Sequence, residues 1–323
     1  MTEIVAADIG GTHARFALAE VVDGRVAALG EPCTLATADH AGLEDAWAEF
    51  ARRTGRPLPA AAAIAVAAPI EGDTIKLTNN PWTIDRTGLP TRLGVSRLRL
   101  VNDFGAVAHA VAQLDPVHFR HLCGPDRPLP EEGLISIVGP GTGLGVAQLL
   151  RRGGRAEVIE TEGGHIGFAP ADAFEDALAA GLRPRFGRVS VERIVSGAGL
   201  AVIYSALASA GGRTPAYAED KELWAAALAG EDALAGEALE RFCGALGAAA
   251  GDIALAQGAA AVAIGGGLGL RLADRLPNSA FHERFVDKGR YRQRMERMPV
   301  RIVTHEQPGL YGAAAAFADR YAD

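Results

Sequence analysis

Cysteine is scarce. The 323-residue chain carries three, Cys33, Cys123 and Cys243, odd in number and far apart. That argues against a disulfide framework or a CxxC-type zinc site and fits reduced thiols in a cytoplasmic protein. Blocks of positive charge are missing as well: 32 Lys and Arg against 39 Asp and Glu leave a net charge of −7. The densest basic stretch, "DKGRYRQRMERMPVR" (287–301), also holds Asp287 and Glu296 and reads as a solvated face. Nucleic acid is therefore not expected as the main partner, because neutralising phosphates takes clustered Lys and Arg. No apolar run approaches the ~18 residues of a membrane span, since Asp252 and Gln257 interrupt the Ala/Gly-rich segment 244–270. The N-terminus lacks a basic region followed by a long apolar core, so no secretory signal is expected.

What the chain does have is apolar residues at 49% and a length that suggests two domains of ordinary size. The opening "EIVAADIGGTHARFALAEV" (3–21) reads as two strands joined around Gly10-Gly11-Thr12, with Ala14, Phe16 and Leu18 on one face of the second. "VDGR" (22–25) supplies an Asp-Gly turn into a third strand. Residues 39–54 follow helical spacing through Leu43, Trp47 and Phe50, with Asp39 to cap the start and Gly55 the end. "AAAIAVAAPI" (61–70) and "LRLV" (98–101) read as buried strands. The Pro-rich "CGPDRPLPEEG" (123–133) reads as a boundary or connector between domains. After it, residues 134–160 repeat the opening pattern of strand, glycine-threonine turn, strand, glycine turn and strand, about 130 residues on, as a duplicated domain would. Leu234, Ala238, Phe242, Leu246, Ala249 and Ile253 mark a helix over 233–257, followed by a strand at 260–266 and a last helix at 309–322.

Glycine lets backbone approach a ligand closely, and successive N–H groups in a tight turn can hold an anion. The turns at Gly10-Gly11-Thr12 and Gly141-Thr142-Gly143, and the run Gly265-Gly266-Gly267 after a strand, invite that reading; each alone is equally a tight turn. No GxxxxGK[ST] run occurs, and neither "GPGTGLG" nor "AIGGGLG" keeps GxGxxG spacing, so P-loop and dinucleotide fingerprints are excluded. Three such turns at three strand ends suggest a nucleotide held between two lobes. "LRLVNDFGAVAHA" (98–110) then places Asn102 and Asp103 where a strand gives way to a small-residue helix. Beyond strand C-termini is where an open α/β sheet binds ligands. On these residues alone, helix capping is the simpler reading.

"ADIGGTHARFAL", "VNDFGA", "GPGTGLGVA", "EGGHIGFAP" and "VERIVSGAGL" occur in this order, and "IVTHEQPGLYGAAAAF" follows near the end. Together they resemble the bacterial-type, zinc-free glucokinase family of the hexokinase, heat-shock-70 and actin superfamily, from residue 3 to about residue 317. The resemblance implies an α/β fold of two ribonuclease-H-like lobes, mixed sheets flanked by helices, with the active site in the interlobe cleft. It suggests a small domain of 1–113 plus 305–323 and a large one of 114–304.

The implied activity is ATP-dependent phosphorylation of glucose to glucose 6-phosphate, a phosphotransferase step onto an alcohol, as in the first step of glycolysis. By resemblance Asp103 is the general base, and Asn102, Asp103, Glu162, His165 and Glu192 bind the sugar. Ala7, Asp8, Ile9, Gly10, Gly11 and Thr12, with Gly141, Thr142 and Gly143, belong to the nucleotide phosphates, and Gly265, Gly266 and Gly267 lie along the adenosine. Asp8 would hold Mg²⁺ through water, since Mg²⁺ keeps several waters and takes few carboxylates. Asn79-Asn80 resembles a family turn near the sugar and is equally a good Asn-Asn-Pro turn. Without the resemblance, Glu162 and His165 could be read as a metal pair and Glu192 as a helix-start carboxylate. The related repressor, open-reading-frame and kinase family carries a cysteine-rich zinc motif after its Gly-His segment; "HIGFAPADAFEDA" has no cysteine, so no zinc is expected.

The alternatives are a kinase for fructose, mannose or an N-acetylhexosamine, and a non-catalytic sugar sensor. A sensor of the repressor type needs a DNA-binding segment, for which a first strand beginning by residue 4 is expected to leave no room. An actin-like or chaperone ATPase without a sugar fits poorly with the Glu162–His165–Glu192 set. A homodimer is suggested by the resemblance and by dimers being the commonest assembly.

Overall fold

The computed structural model describes residues 1–77 and 80–321, which fall into two compact units. The first comprises Met1–Asp115, Val158–Glu160 and His305–Asp323, the second Pro116–Glu157 and Thr161–Thr304.

In the first unit the strands are β1 (Thr2–Ile9), β2 (His13–Val22), β3 (Arg25–Leu29), β4 (Cys33–Ala36), β5 (Ala61–Val66), β6 (Thr74–Lys76), β7 (Thr83–Asp85) and β8 (Arg97–Asn102). The main sheet runs β3-β2-β1-β5-β8, with β4 also on β2, and β6 pairs β7 separately. β1 is antiparallel to β2 and parallel to β5, which is parallel to β8. Because successive strand residues face opposite sides, the central strands divide between two cores. Val5, Ala7, Ile9, Ala62, Ile64 and Val66 face one that includes Trp47 and Phe50 of helix Leu43–Thr54. Phe16, fully buried there, stacks on Phe50 with ring centroids 5.3 Å apart. Ile4, Ala6, Ala63 and Ala65 face the other, with Leu310, Ala313 and Phe317 of helix Pro308–Arg320. That helix crosses helix Asp103–Gln113 so closely that a Cβ at Gly312 would lie 1.8 Å from the Ala106 carbonyl oxygen. Small residues crowd this side because two helix backbones meet there.

The sheet of the second unit repeats the plan, with Val158–Glu160 of its edge strand grouped with the first unit. β9 (Phe119–Cys123), β10 (Gly133–Pro140), β11 (Leu144–Arg152), β12 (Arg155–Thr161), β13 (Ala261–Ile264) and β14 (Val300–Val303) pair in the order β12-β11-β10-β13-β14-β9. Again an antiparallel hairpin, β10–β11, leads into parallel neighbours, β10–β13–β14. Helix Ala233–Gln257 buries Phe242 edge-on to Trp224 at 5.2 Å. It passes helix Phe281–Val286 through Gly247, where a Cβ would come 2.2 Å from the Phe281 carbonyl oxygen.

Some details differ from expectation. Asp39 does not cap the first long helix: it lies in a short turn Thr37–Asp39, and the helix begins at Leu43 after Gly42. Asp45, inside the helix, takes the Ala41 N–H at 3.2 Å. The segment 31–36 adds β4, which the meander reading lacked. The Pro-rich 124–132 stretch joins β9 to β10 of one sheet rather than two units. Asn79 lies outside the described residues. No helix among the described residues is long and apolar enough to cross a membrane.

His109, 8% exposed in helix Asp103–Gln113, is pushed down from 6.5 to about 4, chiefly by burial and secondarily by the charge of Arg99. The unfolded imidazole binds a proton near pH 6.5 and the folded one only near 4, so unfolding takes up a proton in that window. Stability therefore falls as pH drops through it, by up to about 3 kcal/mol. Urea unfolding at pH 7 and pH 4.5 should show this loss in the wild type and a clearly smaller one in His109→Gln. Equal losses would remove His109 as the cause.

Candidate active site

β8 ends on Asn102, and helix Asp103–Gln113 starts at the next residue. Asn102 is the N-cap: its Oδ1 accepts from the N–H of Phe104 at 2.8 Å and of Gly105 at 3.1 Å, and its Nδ2 donates to the Ala68 carbonyl at 3.2 Å. Asp103 is the first helical residue, half-buried, and its Oδ1 also accepts from the Phe104 N–H at 2.9 Å. The capping reading of Asn102 therefore holds in the structure, and it fixes where the Asp103 carboxylate stands. Glu160 adds a brace that spacing did not reveal. Its Oε1 accepts from the Asn102 N–H at 2.9 Å, over Gly105, where a Cβ would be 2.5 Å from that oxygen.

The turn between β1 and β2 belongs to the same unit. Thr37 Oγ1 donates to the Gly11 carbonyl at 2.9 Å, the Thr37 N–H donates to the Thr12 carbonyl at 3.0 Å, and Asn80 Nδ2 donates to the Gly10 carbonyl at 3.5 Å. The protein thus occupies the carbonyl side of the turn. Among the described residues none accepts a hydrogen bond from the Gly11 or Thr12 N–H, which suits an anion. Ala7 and Ile9 are fully buried in β1, while the Asp8 side chain keeps 22% of its surface. Burial pushes the Asp8 carboxyl up from its ordinary value, and the Arg15 guanidinium, 3.6 Å away, opposes that. Gly309 makes room, since a Cβ there would sit 2.6 Å from Asp8 Oδ2.

In the second unit the chain brings Glu162, His165 and Glu192 together. His165 Nε2 lies 4.0 Å from a carboxylate oxygen of each glutamate, with Glu162 and His165 well exposed and Glu192 26% exposed. Glu192 sits in a short turn Val191–Arg193. Instead of meeting a helix start, its Oε2 accepts from the Leu144 N–H at 2.9 Å, just past the glycine turn. Gly143 permits this, because a Cβ would lie 2.3 Å from that oxygen. The Gly197 N–H donates to the Gly141 carbonyl at 2.7 Å, bracing the turn's other end beside Thr142. Gly265, whose N–H donates to the Val138 carbonyl at 2.9 Å, precedes helix Gly266–Arg271, which contains Gly267. Three polar side chains converging beside a glycine turn can divide the hydroxyls of a polyol among them.

A divalent cation fits Asp8. It is a hard oxygen donor, largely desolvated, paired with one guanidinium at 3.6 Å, beside a turn suited to phosphate. Mg²⁺ takes one or two carboxylates plus substrate phosphates, so it needs no cluster of protein ligands. No group of three or more His, Cys, Asp or Glu side chains among the described residues is placed to hold a metal.

Comparison with known proteins gives a consistent picture. The family model described as Glucokinase matches residues 5–320. The chain is 58% identical over 321 residues to the glucokinase of Zymomonas mobilis, covering 99% of each chain. It is 41% identical over 321 residues to that of Xanthomonas campestris, covering 98% of this chain and 95% of the other. It is also similar to the crystal structure of a glucokinase from an Antarctic psychrotroph. There the TM-score is 0.83, with 35% identity and coverage of 98% of this chain and 99% of that one.

The Glu192–Gly143 contact makes a thermodynamic prediction. Gly143→Ala should destabilise the protein by about 1–3 kcal/mol by forcing the Glu192 carboxylate off Leu144. In a Glu192→Ala background the same substitution should cost clearly less, the coupling expected of residues in contact. Additive losses in denaturant unfolding would show that the methyl group acts elsewhere.

Proposed function

Because this chain belongs to the glucokinase family, we propose that Asp103 takes the proton from the 6-hydroxyl of the sugar as that oxygen attacks the γ-phosphorus of ATP. The enzyme catalyses the ATP-dependent phosphorylation of glucose to glucose 6-phosphate, and its mixed sheets flanked by helices are those of the actin-like ATPase fold. The observation supporting the assignment is the cap at Asn102, which plants the Asp103 carboxylate on the first turn of a helix at a strand's C-terminal end.

Phosphoryl transfer needs a positioned nucleophile and donors for charge on the moving phosphoryl group. In our reading the oxygen–hydrogen bond of the 6-hydroxyl gives its proton to Asp103, a bond forms from that oxygen to phosphorus, and the bond to the bridging oxygen breaks to release ADP. Glu162, His165 and Glu192 take hydroxyls of the same sugar, and the second amide hydrogen of Asn102 is available to another. Every hydroxyl removed from water must find such a partner. The Gly10–Thr12 and Gly141–Gly143 turns present the N–H groups of Gly11, Thr12, Thr142 and Gly143 to the phosphates. Those of Gly10 and Gly141 are bonded to the His13 and Gly143 carbonyls. Gly265–Gly267 runs along the adenosine. Kinases of this family use ATP with a divalent metal; bound, it would offset phosphate charge. We take it to be Mg²⁺, held through water by Asp8, and expect no structural zinc.

We further take 1–113 with 305–323 and 114–304 as the two domains, and the protein as a cytoplasmic homodimer whose partners are a hexose and ATP rather than nucleic acid or membrane. The three free thiols and the lack of a basic block support the cellular setting.

Asp103→Asn should lower kcat by about 10²–10⁴-fold in a coupled assay, with glucose affinity by calorimetry largely kept. Full activity in that variant would exclude Asp103 as the base. Asp8 offers a pH test. Its folded pKa is raised, so its ionised form costs stability above that value and its protonated form does not. Ligand-free Asp8→Asn should therefore melt above wild type at pH 7, with the difference shrinking on acidification, while losing the metal-dependent tightening of ATP binding. A variant that melts lower at pH 7 and binds metal–ATP normally contradicts both parts.

A further inference from the structure

The first unit contains a cavity of about 480 Å³ that the reaction does not use. Its walls carry Arg86, Arg99 and Arg320 against a single acid, Asp73, together with Thr87 and Tyr321. Arg92, close by in sequence, is held by Asp85 and Glu44. None of the three cavity arginines has such an ion pair among the described residues. Arg86 donates one Nη1 bond to the Gly72 carbonyl at 2.8 Å. Arg99 is half-buried, and its Nε is fully enclosed without any hydrogen-bond partner. An enclosed donor on a charged group that lacks an acceptor is costly. The charge is also felt inward, as a contributor to keeping His109 neutral. An anion in the cavity would offset the charge of the Arg99 guanidinium, although its enclosed Nε stays out of a ligand's reach. Three guanidinium forks around one space match the tetrahedral oxygens of phosphate, which arginine binds bidentately.

We infer that this cavity, framed by Arg86, Arg99 and Arg320, is a binding site for a phosphate dianion, either free or carried by a small metabolite such as a sugar phosphate. The site is separate from Asp103, but it shares a strand with it: Arg99 lies on β8, which ends on the capping Asn102. The Thr87 and Tyr321 hydroxyls already donate, to Asp85 Oδ1 at 2.9 Å and to the Leu98 carbonyl at 3.4 Å, so the phosphate oxygens fall to the arginines. The volume exceeds what one phosphate fills, leaving space for a carrier.

The test is calorimetric titration of the full chain with inorganic phosphate and, separately, glucose 6-phosphate, at constant ionic strength with glucose and ADP filling the catalytic site. Wild type should bind with Kd below ~5 mM. Arg99→Met and Arg320→Ser should each weaken binding at least ~10-fold, whereas Arg52→Ser, removing an exposed charge elsewhere in this unit, should not. Without phosphate, Arg99→Met should melt no lower than wild type, because it removes a desolvated unpaired charge. Should Arg99→Met fold poorly, Arg320→Ser carries the test, since Arg320 is exposed at a helix end. Tighter binding of glucose 6-phosphate makes the sugar phosphate the ligand; equal binding makes it the free phosphate group. No binding, binding unchanged in both cavity variants, or an equal loss in Arg52→Ser would overturn the site. None of these outcomes depends on whether Asp103 is the base.

Discussion

The amide of Asn102 is the pin on which the strand-to-helix junction carrying Asp103 turns. A strand and a helix meet there with no intervening loop, which leaves the first N–H groups of the helix in need of acceptors. One oxygen, Asn102 Oδ1, serves two of them, and the nitrogen of the same side chain reaches back to the Ala68 carbonyl beyond the end of β5. The junction is therefore tied to the sheet on one side and to the helix on the other. Asp103 inherits its place from that double tie. Glu160 secures the same point from another strand by accepting the Asn102 N–H, and Gly105 leaves it the space.

The second unit uses a related device. Its glycine turn is anchored at one end by Glu192 on Leu144 and at the other by Gly197 on Gly141. Glycine matters here as clearance rather than as flexibility. At Gly143 and Gly105 a methyl group would collide with a carboxylate that braces the site, and at Gly309 with Asp8 itself. Glutamate and glycine thus work as pairs, the carboxylate supplying the bond and the missing Cβ the room.

Electrostatically the first unit holds opposite kinds of discomfort. Asp8 is a largely desolvated anion paired with one guanidinium at 3.6 Å, and Arg99 is a cation with an enclosed, unanswered donor. Each would be offset by a ligand of the other sign, the metal we propose at Asp8 and the phosphate we infer beside Arg99. A carboxyl whose protonation is shifted by burial, as at Asp8, tends to mark a functional site for this reason.

Much of this was legible in residue order, because some signals are local. Weak two-residue alternation in β2 assigns its side chains to opposite faces, the apolar runs of β1 and β5 mark buried strands, and the Asp-Gly pair marks a turn; all follow from backbone geometry within a few residues. The duplicated hairpins, the long helix 233–257 and the capping role of Asn102 belong to that class. Asp39 misled because a polar residue near a helix start is a cap only if the chain turns there, and Thr37–Asp39 turns earlier. What the tertiary structure alone decided are meetings across long separations: Glu192 with Leu144 over 48 residues, Glu160 with Asn102 over 58, and Arg99 with Arg320 around one cavity. No periodicity links such positions, since side chains so far apart in sequence become neighbours only when packing of the sheets and helices brings their strands together.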